Sequence, residues 1–457
     1  MKALIQQHPG HDASYDRDRE DSYQGEGSSG TRYSPGPLRI ALQGQIEAIL
    51  SRRRAVAGGS LGAPVRGPAQ GPVTPPPYTA PVAIGIDASR AFQAAPTGIG
   101  VYATQVCSGL IASPPAPLRL YRNARRAPLT APPLPAGSEW RLIPLPRGWT
   151  RVRLALEVRR HPPELLFVPA YRLPPGRLPR SVVTVHGVEH RLAAQAYPGG
   201  GGQAVESFVQ DALARAARLI VPSETTRADL VQLYSADPDA ITVIPHGVGA
   251  ELGPRSADQV AVATAKLEIP GPYFLVVGAH HRRKNIPFLI RAFASAFPAG
   301  RERPWLVVAN ATGRTAIELT RVAQAAGCSD HLRLLPHVGG EALADLYSGA
   351  LAACVPSLYE GFGLPALEGM ACGAPVLAGD VGGVAEVAAG AALLVELGSH
   401  REWVAALTRL AREPGLRSHL SRLGLARAGR YSWKRSIEEH SRVLADELAR
   451  ARRDQFR

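Results

Sequence analysis

Two carboxylates and a basic triplet are the residues of this chain whose types and setting could do chemistry. Glu360 and Glu368 lie in the stretch EGFGLPALEGMACGAPVLAGDVGG, surrounded almost entirely by small and apolar residues. A carboxylate in such company needs a partner to offset its lost hydration. Gly361 and Gly363 allow close backbone approach and unusual φ. A loop of that kind opening a helix presents N–H groups suited to a phosphate or a polyhydroxylated ligand. Carboxylates make charge-assisted hydrogen bonds with hydroxyls. Paired structural caps are the bland alternative, and two glutamates beside one such loop weigh against it.

The triplet is Arg282, Arg283 and Lys284 in YFLVVGAHHRRKNIPFLIRAF. A strand ending at Gly278 is followed by helical spacing of Ile286, Leu289, Ile290 and Phe293, with Asn285 as N-cap and Pro287 in the first turn. The cations then stand beside a helix N-terminus, which itself favours an anion. A solvated basic turn is the alternative. Lysine is rare here: of 52 basic residues only Lys2, Lys266, Lys284 and Lys434 are lysines.

The sequence around these groups reads as an α/β architecture. Short apolar runs (VAIGID, SVVTVHG, RLIVPS, AITVIPHG, YFLVVGA, WLVVAN, LRLLPHV, AACVPS, PVLAGD) alternate with helical stretches. That is the pattern of parallel sheets covered on both faces. In such sheets ligands bind at the carboxyl ends of strands. The runs suffice for two domains, as does a length of 457 residues. We expect a disordered tail over residues 1–80, a first domain over 81–260, a second over 261–431, and a terminal helix over 432–457.

The ordered set of motifs resembles the retaining glycosyltransferases of family 4. Its carriers are Glu360 and Glu368 with GFGLPALEGMACGAPV, then GAHHRRKN, PSETTRADLVQLYSADPDAITVIPHGV, TVHGVEH, PTGIGVYATQV and YSWKRSIEEHSRVLADEL, across roughly residues 82 to 440. Gly187 and Gly369 depart from the residues usual in that family, Asp and Ala. The resemblance implies the GT-B fold, two Rossmann-like domains facing a cleft, with the last helix crossing back to the first domain. It implies that Lys284 and Arg283 neutralise a donor diphosphate and that Glu368 holds ribose hydroxyls. Glu360, with Gly361, Phe362, Gly363 and Leu364, would hold the donor sugar and phosphate. His186 would face the sugar, and Gly98 and Gly100 would let backbone approach the phosphate and acceptor. The implied reaction moves a hexose, such as mannose or glucose, from a nucleoside-diphosphate sugar to a hydroxyl of a saccharide or lipid-linked acceptor, with retention. The nucleotide sugar is a co-substrate, no cofactor stays bound, and no metal is expected.

Other classes fit less well. GIGVYA at 98–103 matches G-x-G-x-x-A but lies beyond the end of VAIGID, with no acidic residue near 120, against a dinucleotide oxidoreductase. Asp16-Arg17-Asp18 and Asp237-Pro238-Asp239 read as tail and turn. A nucleotide-sugar epimerase on the same fold would need a different catalytic set. A lone histidine such as His186, like His190 or His246, is more often structural than catalytic. Asp87 and Arg90 in GIDASR could line the cleft or pair with each other. The four cysteines show no metal or redox spacing.

The net charge is +14, most of it outside the nearly balanced tail, which favours an anionic partner. Aromatics are 6% of residues, too few beside the basic runs for a nucleic-acid module, so no nucleic acid is expected. RVRLALEVRRHPP spaces Val152, Leu154, Leu156 and Val158 among arginines, which suits peripheral contact with an anionic membrane, alone or as an accessory to the enzyme. No signal peptide or membrane span is evident, and the expected location is the cytoplasm or the inner face of the cell membrane.

Overall fold

A computed structural model describes residues 83–455 except 94–95, 124–131, 144–148, 198–200, 279–280 and 301–302. The tail over 1–80 and its Asp-Arg-Asp sequence lie outside these residues, as does most of YRNARRAP. Among the described residues the strands form two wholly parallel sheets.

The first sheet contains β1 (Ile84–Asp87), β2 (Leu118–Asn123), β3 (Glu139–Ile143), β4 (Leu165–Val168), β5 (Arg180–Thr184), β6 (Arg218–Val221) and β7 (Ile241–Val243). The second contains β8 (Tyr273–Val277), β9 (Trp305–Ala309), β10 (Leu332–Leu334), β11 (Ala352–Val355), β12 (Val376–Gly379) and β13 (Leu393–Val395). Their spatial orders are β3-β2-β1-β4-β5-β6-β7 and β10-β9-β8-β11-β12-β13. Each order reverses once, between β1 and β4 and between β8 and β11, and such switch points open a crevice at the strand ends.

The central strands are apolar runs because both faces are covered. Phe274 and Val276 point into one core, and Leu275, Val307 and Ala353 into the other. Two strands break that rule. In β2, Arg119 and Arg122 are buried; Arg119 pairs with Glu139 on β3, and Arg122 donates to the Phe92 carbonyl at 3.0 Å. In β3, Arg141 pairs with Glu157 at 2.7 Å.

Between the sheets runs residues 244–272. The helix Ala257–Lys266 within it packs on the helix Glu341–Ser348, on the side of the second sheet. A boundary at 260 therefore cuts a helix that belongs with the later residues.

The helix Trp433–Gln455 lies against the helix Gly98–Ala112 and against β4 and β5. Trp433, Leu444 and Leu448 enter the first sheet's core. Gly109 makes the approach close, because a Cβ there would run into Ile437. Arg180 pairs with Glu447 at 2.6 Å and Arg452 with Glu164 at 2.7 Å.

The stretch TRVRLALEVRR is a single wide turn over Thr150–Leu154 continuing as the helix Ala155–Arg160. Leu154 and Val158 are core residues, whereas Val152 is exposed. No helix among the described residues is long and apolar enough to cross a membrane.

Candidate functional site

The second sheet's switch point assembles the groups singled out above. β8 ends at Val277, and the φ of 90° at Gly278 just after it lets the chain turn sharply. A Cβ there would meet the Lys284 stem at 3.4 Å. Arg282–Lys284 form a single tight turn, to which the His281 ring contributes by accepting from the Arg283 N–H at 3.1 Å. Asn285 occupies the N-cap position of the helix Ile286–Ala296 in left-handed geometry, with φ 53°, and makes no side-chain cap bond. Gly363, φ 106°, opens the helix Leu364–Ala371, with Pro365 in its first turn.

Between these two segments sits Glu360, only 7% exposed. Lys284 Nζ donates to its Oε1 at 2.7 Å, and Ser357 Oγ donates to the same atom at 2.7 Å. Arg283 reaches its Oε2 at 2.6 Å and donates to the Tyr359 carbonyl at 2.8 Å. The loop backbone ties in as well, with the Leu358 N–H donating to the Arg283 carbonyl at 2.8 Å. Burial opposes the charge on Glu360, but Arg283 and then Lys284 outweigh it and hold the carboxyl well below the usual range. Burial lowers Lys284, partly offset by Glu360. Arg283 is raised: its burial is outweighed by Glu360 and then Glu189.

Glu368 stands in a different environment. It is half-buried on the helix Leu364–Ala371 and accepts from the Tyr347 hydroxyl at 3.0 Å. Burial pushes it up to about 7, against the Tyr347 bond and the charge of Lys284. So one glutamate is fully ionised and clamped, while the other is poised to change charge near neutrality. Gly369, one residue on, lets this helix settle on β11, since a Cβ there would lie 2.9 Å from that of Ala353.

The first domain closes over this loop. Gly361 touches the backbone of His186 and Gly187, with no room for a side chain. The Gly361 carbonyl accepts from Ser223 Oγ at 2.6 Å and Thr226 Oγ1 at 2.9 Å. The Glu386 carboxylate accepts from the Thr225 N–H at 2.9 Å and the Glu224 N–H at 3.1 Å, capping the helix Glu224–Tyr234 from across the cleft. Phe362 is a buried anchor whose ring lies 4.7 Å from His246 and 5.8 Å from Tyr431.

His186 lies under Tyr102, edge-on at 4.7 Å, and its Nε2 donates to the Pro169 carbonyl at 2.8 Å. Burial pulls it down to about 4, so the ring is neutral at ordinary pH. Tyr102 is in turn fixed by bonds of 2.7 Å to Thr184 and to His440 of the last helix. Gly98 faces Leu364 across the cleft, whereas Gly100 packs on Pro96 and the Arg90 carbonyl within its own domain. GIGVYA is inside the helix Gly98–Ala112 rather than at a strand end. Asp237-Pro238-Asp239 is a single turn leading into β7.

Thus Lys284, Arg283 and Glu360 meet, with Glu368 beside Lys284. His186 and Gly98 belong to the facing side, Leu364 stands opposite Gly98 on the side of Glu368, and Gly100 and Phe362 act as packing. Sequence reading missed Ser357, Tyr347 and Glu189. Ser357 ends an apolar run and was findable by position; Tyr347 carries no local signal.

Comparison with known proteins agrees with this geometry. Residues 264–426 match the family model for glycosyl transferases group 1, and residues 97–252 match that for glycosyltransferase family 4. A D-inositol 3-phosphate glycosyltransferase of Actinosynnema mirum is 37% identical over 241 residues, 50% of this chain and 57% of that protein. The match thus spans little more than half of the curated relative's length. Among solved structures, sucrose-phosphate synthase from Thermosynechococcus elongatus superposes with a TM-score of 0.62 at 22% identity, over 82% of this chain and 99% of that one. Anabaena HepE, solved with UDP and glucose, gives 0.62 at 14% identity over 80% and 99%. At such identities the likeness speaks for the fold, which is GT-B. The two family models together match more than half of the chain, which belongs to the family 4, group 1 glycosyltransferases.

Proposed function

We propose that this protein transfers a hexose from a nucleoside-diphosphate sugar to a hydroxyl of a saccharide or lipid-linked acceptor, with retention at the anomeric carbon. The observation that carries the reading is the Lys284–Glu360–Arg283 arrangement at the second switch point, with Glu368 alongside. In it, Lys284 and Arg283 stabilise the departing diphosphate, as preorganised cations do in a site closed to water. Glu360 keeps them in place and offers its remaining acceptor capacity to the donor sugar. Glu368 accepts hydrogen bonds from the ribose. The N–H groups of Gly363 and Leu364 approach the phosphate, opposite Gly98. The acceptor oxygen bonds to the anomeric carbon as the bond to the diphosphate breaks, and the acceptor's proton passes to the departing phosphate oxygen. His186, neutral and held by Pro169, shapes the sugar pocket from the first domain.

The donor domain on this reading runs from the helix Ala257–Lys266 to about residue 431, and the acceptor domain from 83 into the crossover. The relatives' names support the class: one acts as a D-inositol 3-phosphate glycosyltransferase, another was solved with UDP and glucose. A peripheral membrane role on the cytoplasmic face is supported by Leu142 and Val152, 56% and 49% exposed, with Arg151, Arg159 and Arg160 nearby in the chain.

The test is a thermal-shift panel of UDP, GDP, ADP and TDP without added metal. Stabilisation by one diphosphate is expected; no shift with any of the four would overturn the donor site.

A further inference from the structure

The first sheet has its own switch point, between β1 and β4, and a cavity of about 530 Å³ opens there. That is ample for a phosphorylated monosaccharide. Asp87 at the end of β1 and Arg90 just after it both line the cavity, as do Tyr171 and Arg172 after β4. Sequence alone left open whether Asp87 and Arg90 pair. Among the described residues no ion pair joins them: Asp87 accepts from the Ser89 N–H at 3.0 Å, and neither Arg90 nor Arg172 has a carboxylate partner. Arg172 lies over the Phe208 ring at 5.0 Å, which fixes its guanidinium while leaving its donors free. Burial lowers Arg172, and the charges of Arg151 and Arg90 lower it further. Two positive groups, Arg90 and Arg172, therefore line one cavity, and the charge of Arg151 acts on Arg172 as well. The carboxylates facing them are Asp87, raised by burial although Ser89, Arg90 and Arg172 pull it down, and Glu189, whose charge also serves Arg283.

The other walls suit a sugar. Trp149 and Tyr171 are aromatic members of the lining, with the Trp149 N–H satisfied by the Ile143 carbonyl at 3.0 Å. The cavity also abuts the donor side. Ile99 lines it next to Gly98, which faces Leu364, and Glu189 lines it while acting on Arg283.

The geometry points to an acceptor that carries a phosphate group, with Arg90 and Arg172 gripping the phosphate and the sugar ring lying against Trp149 and Tyr171. This rests on the transferase reading and names its acceptor class. Planar guanidinium forks match phosphate oxygens in pairs, and two unpaired arginines in one concavity favour that group over a neutral sugar. The phosphate could belong to a soluble sugar phosphate or to the diphosphate of a lipid-linked sugar.

The experiment is calorimetry on the full chain, with and without the nucleoside diphosphate selected above. One arm compares glucose 6-phosphate with glucose; the other compares farnesyl-diphospho-N-acetylglucosamine with octyl N-acetylglucosaminide. In at least one arm the phosphorylated member should bind about tenfold tighter or more, and the arm that responds identifies the source. The double variant Arg90→Ala with Arg172→Ala should erase that preference and leave diphosphate affinity unchanged. Arg422→Ala on the other domain should alter neither. Equal binding within both pairs, or none by any probe while the nucleotide binds, overturns the inference alone. Phosphate-dependent binding without any nucleotide binding would retain this site and overturn the donor reading instead.

Discussion

The two switch points of this molecule are built on the same strand order and neutralise their charge in opposite ways. At the second, Arg283 and Lys284 share the carboxylate of Glu360, with Lys284 and Glu360 buried and Arg283 partly so. At the first, Arg90 and Arg172 make no ion pair among the described residues and border open space. A buried cation pair without its carboxylate would be prohibitive, whereas arginines at the rim of a cavity stay hydrated until a ligand arrives. The difference separates a site whose charges are locked in position before substrate binds from one whose charges await it.

The largest effect should come from removing the lock. Glu360→Ala leaves buried Lys284 and part-buried Arg283 without their counterion and should destabilise the protein by about 3 to 5 kcal/mol, read as a lower urea midpoint, together with loss of transfer. A variant as stable as the parent would erase the contrast between the sites. Next, Lys284→Ala should weaken nucleoside-diphosphate affinity roughly ten- to a hundredfold, while Arg172→Ala leaves it unaltered. Equal losses in the two variants would mean that both switch points serve one ligand.

A smaller effect concerns Glu368. Its carboxyl is raised to about 7, so it is protonated below that pH and accepts ribose hydrogen bonds fully only above it. Diphosphate affinity should therefore climb as pH rises from 6 to 8, by at most about tenfold per unit below 7. Glu368→Gln should abolish the step, and an unchanged profile in that variant would place the titration elsewhere. Smallest is Glu386→Ala, which strips the carboxylate from the Glu224 and Thr225 N–H groups while Ser223 still caps the helix Glu224–Tyr234; it should cost about 1 kcal/mol, measured by thermal unfolding.

The second domain was legible in the sequence because its strands are uninterrupted apolar runs and its ionisable groups stand at strand ends. YFLVV, WLVVA and AACV announce themselves, and so do Lys284, Glu360 and Glu368. The first domain was harder. β2 and β3 carry Arg119 and Arg141, whose neutralising partners Glu139 and Glu157 are far along the chain. An arginine in a strand looks solvated until that distant carboxylate is placed beside it. β4, LLFV, is short and follows HPPE, so Tyr171 and Arg172 just beyond it drew no notice. RVRLALEVRR is divided between two settings, since Leu154 and Val158 face the core while Val152 is exposed. The joining of Arg283 to Glu360, and of Tyr347 to Glu368, is a product of strand order that no local pattern encodes.

The helix Trp433–Gln455 has a consequence for the order in which the chain is made. Trp433, Leu444 and Leu448 complete the core around β1 and β4, and His440 holds Tyr102 over His186. On the ribosome the first sheet emerges early, yet its core lacks these side chains until translation has passed the second sheet. The domain begun first is finished last, so the nascent protein carries an open apolar face through most of its synthesis, and folding of the two halves ends in one late docking event.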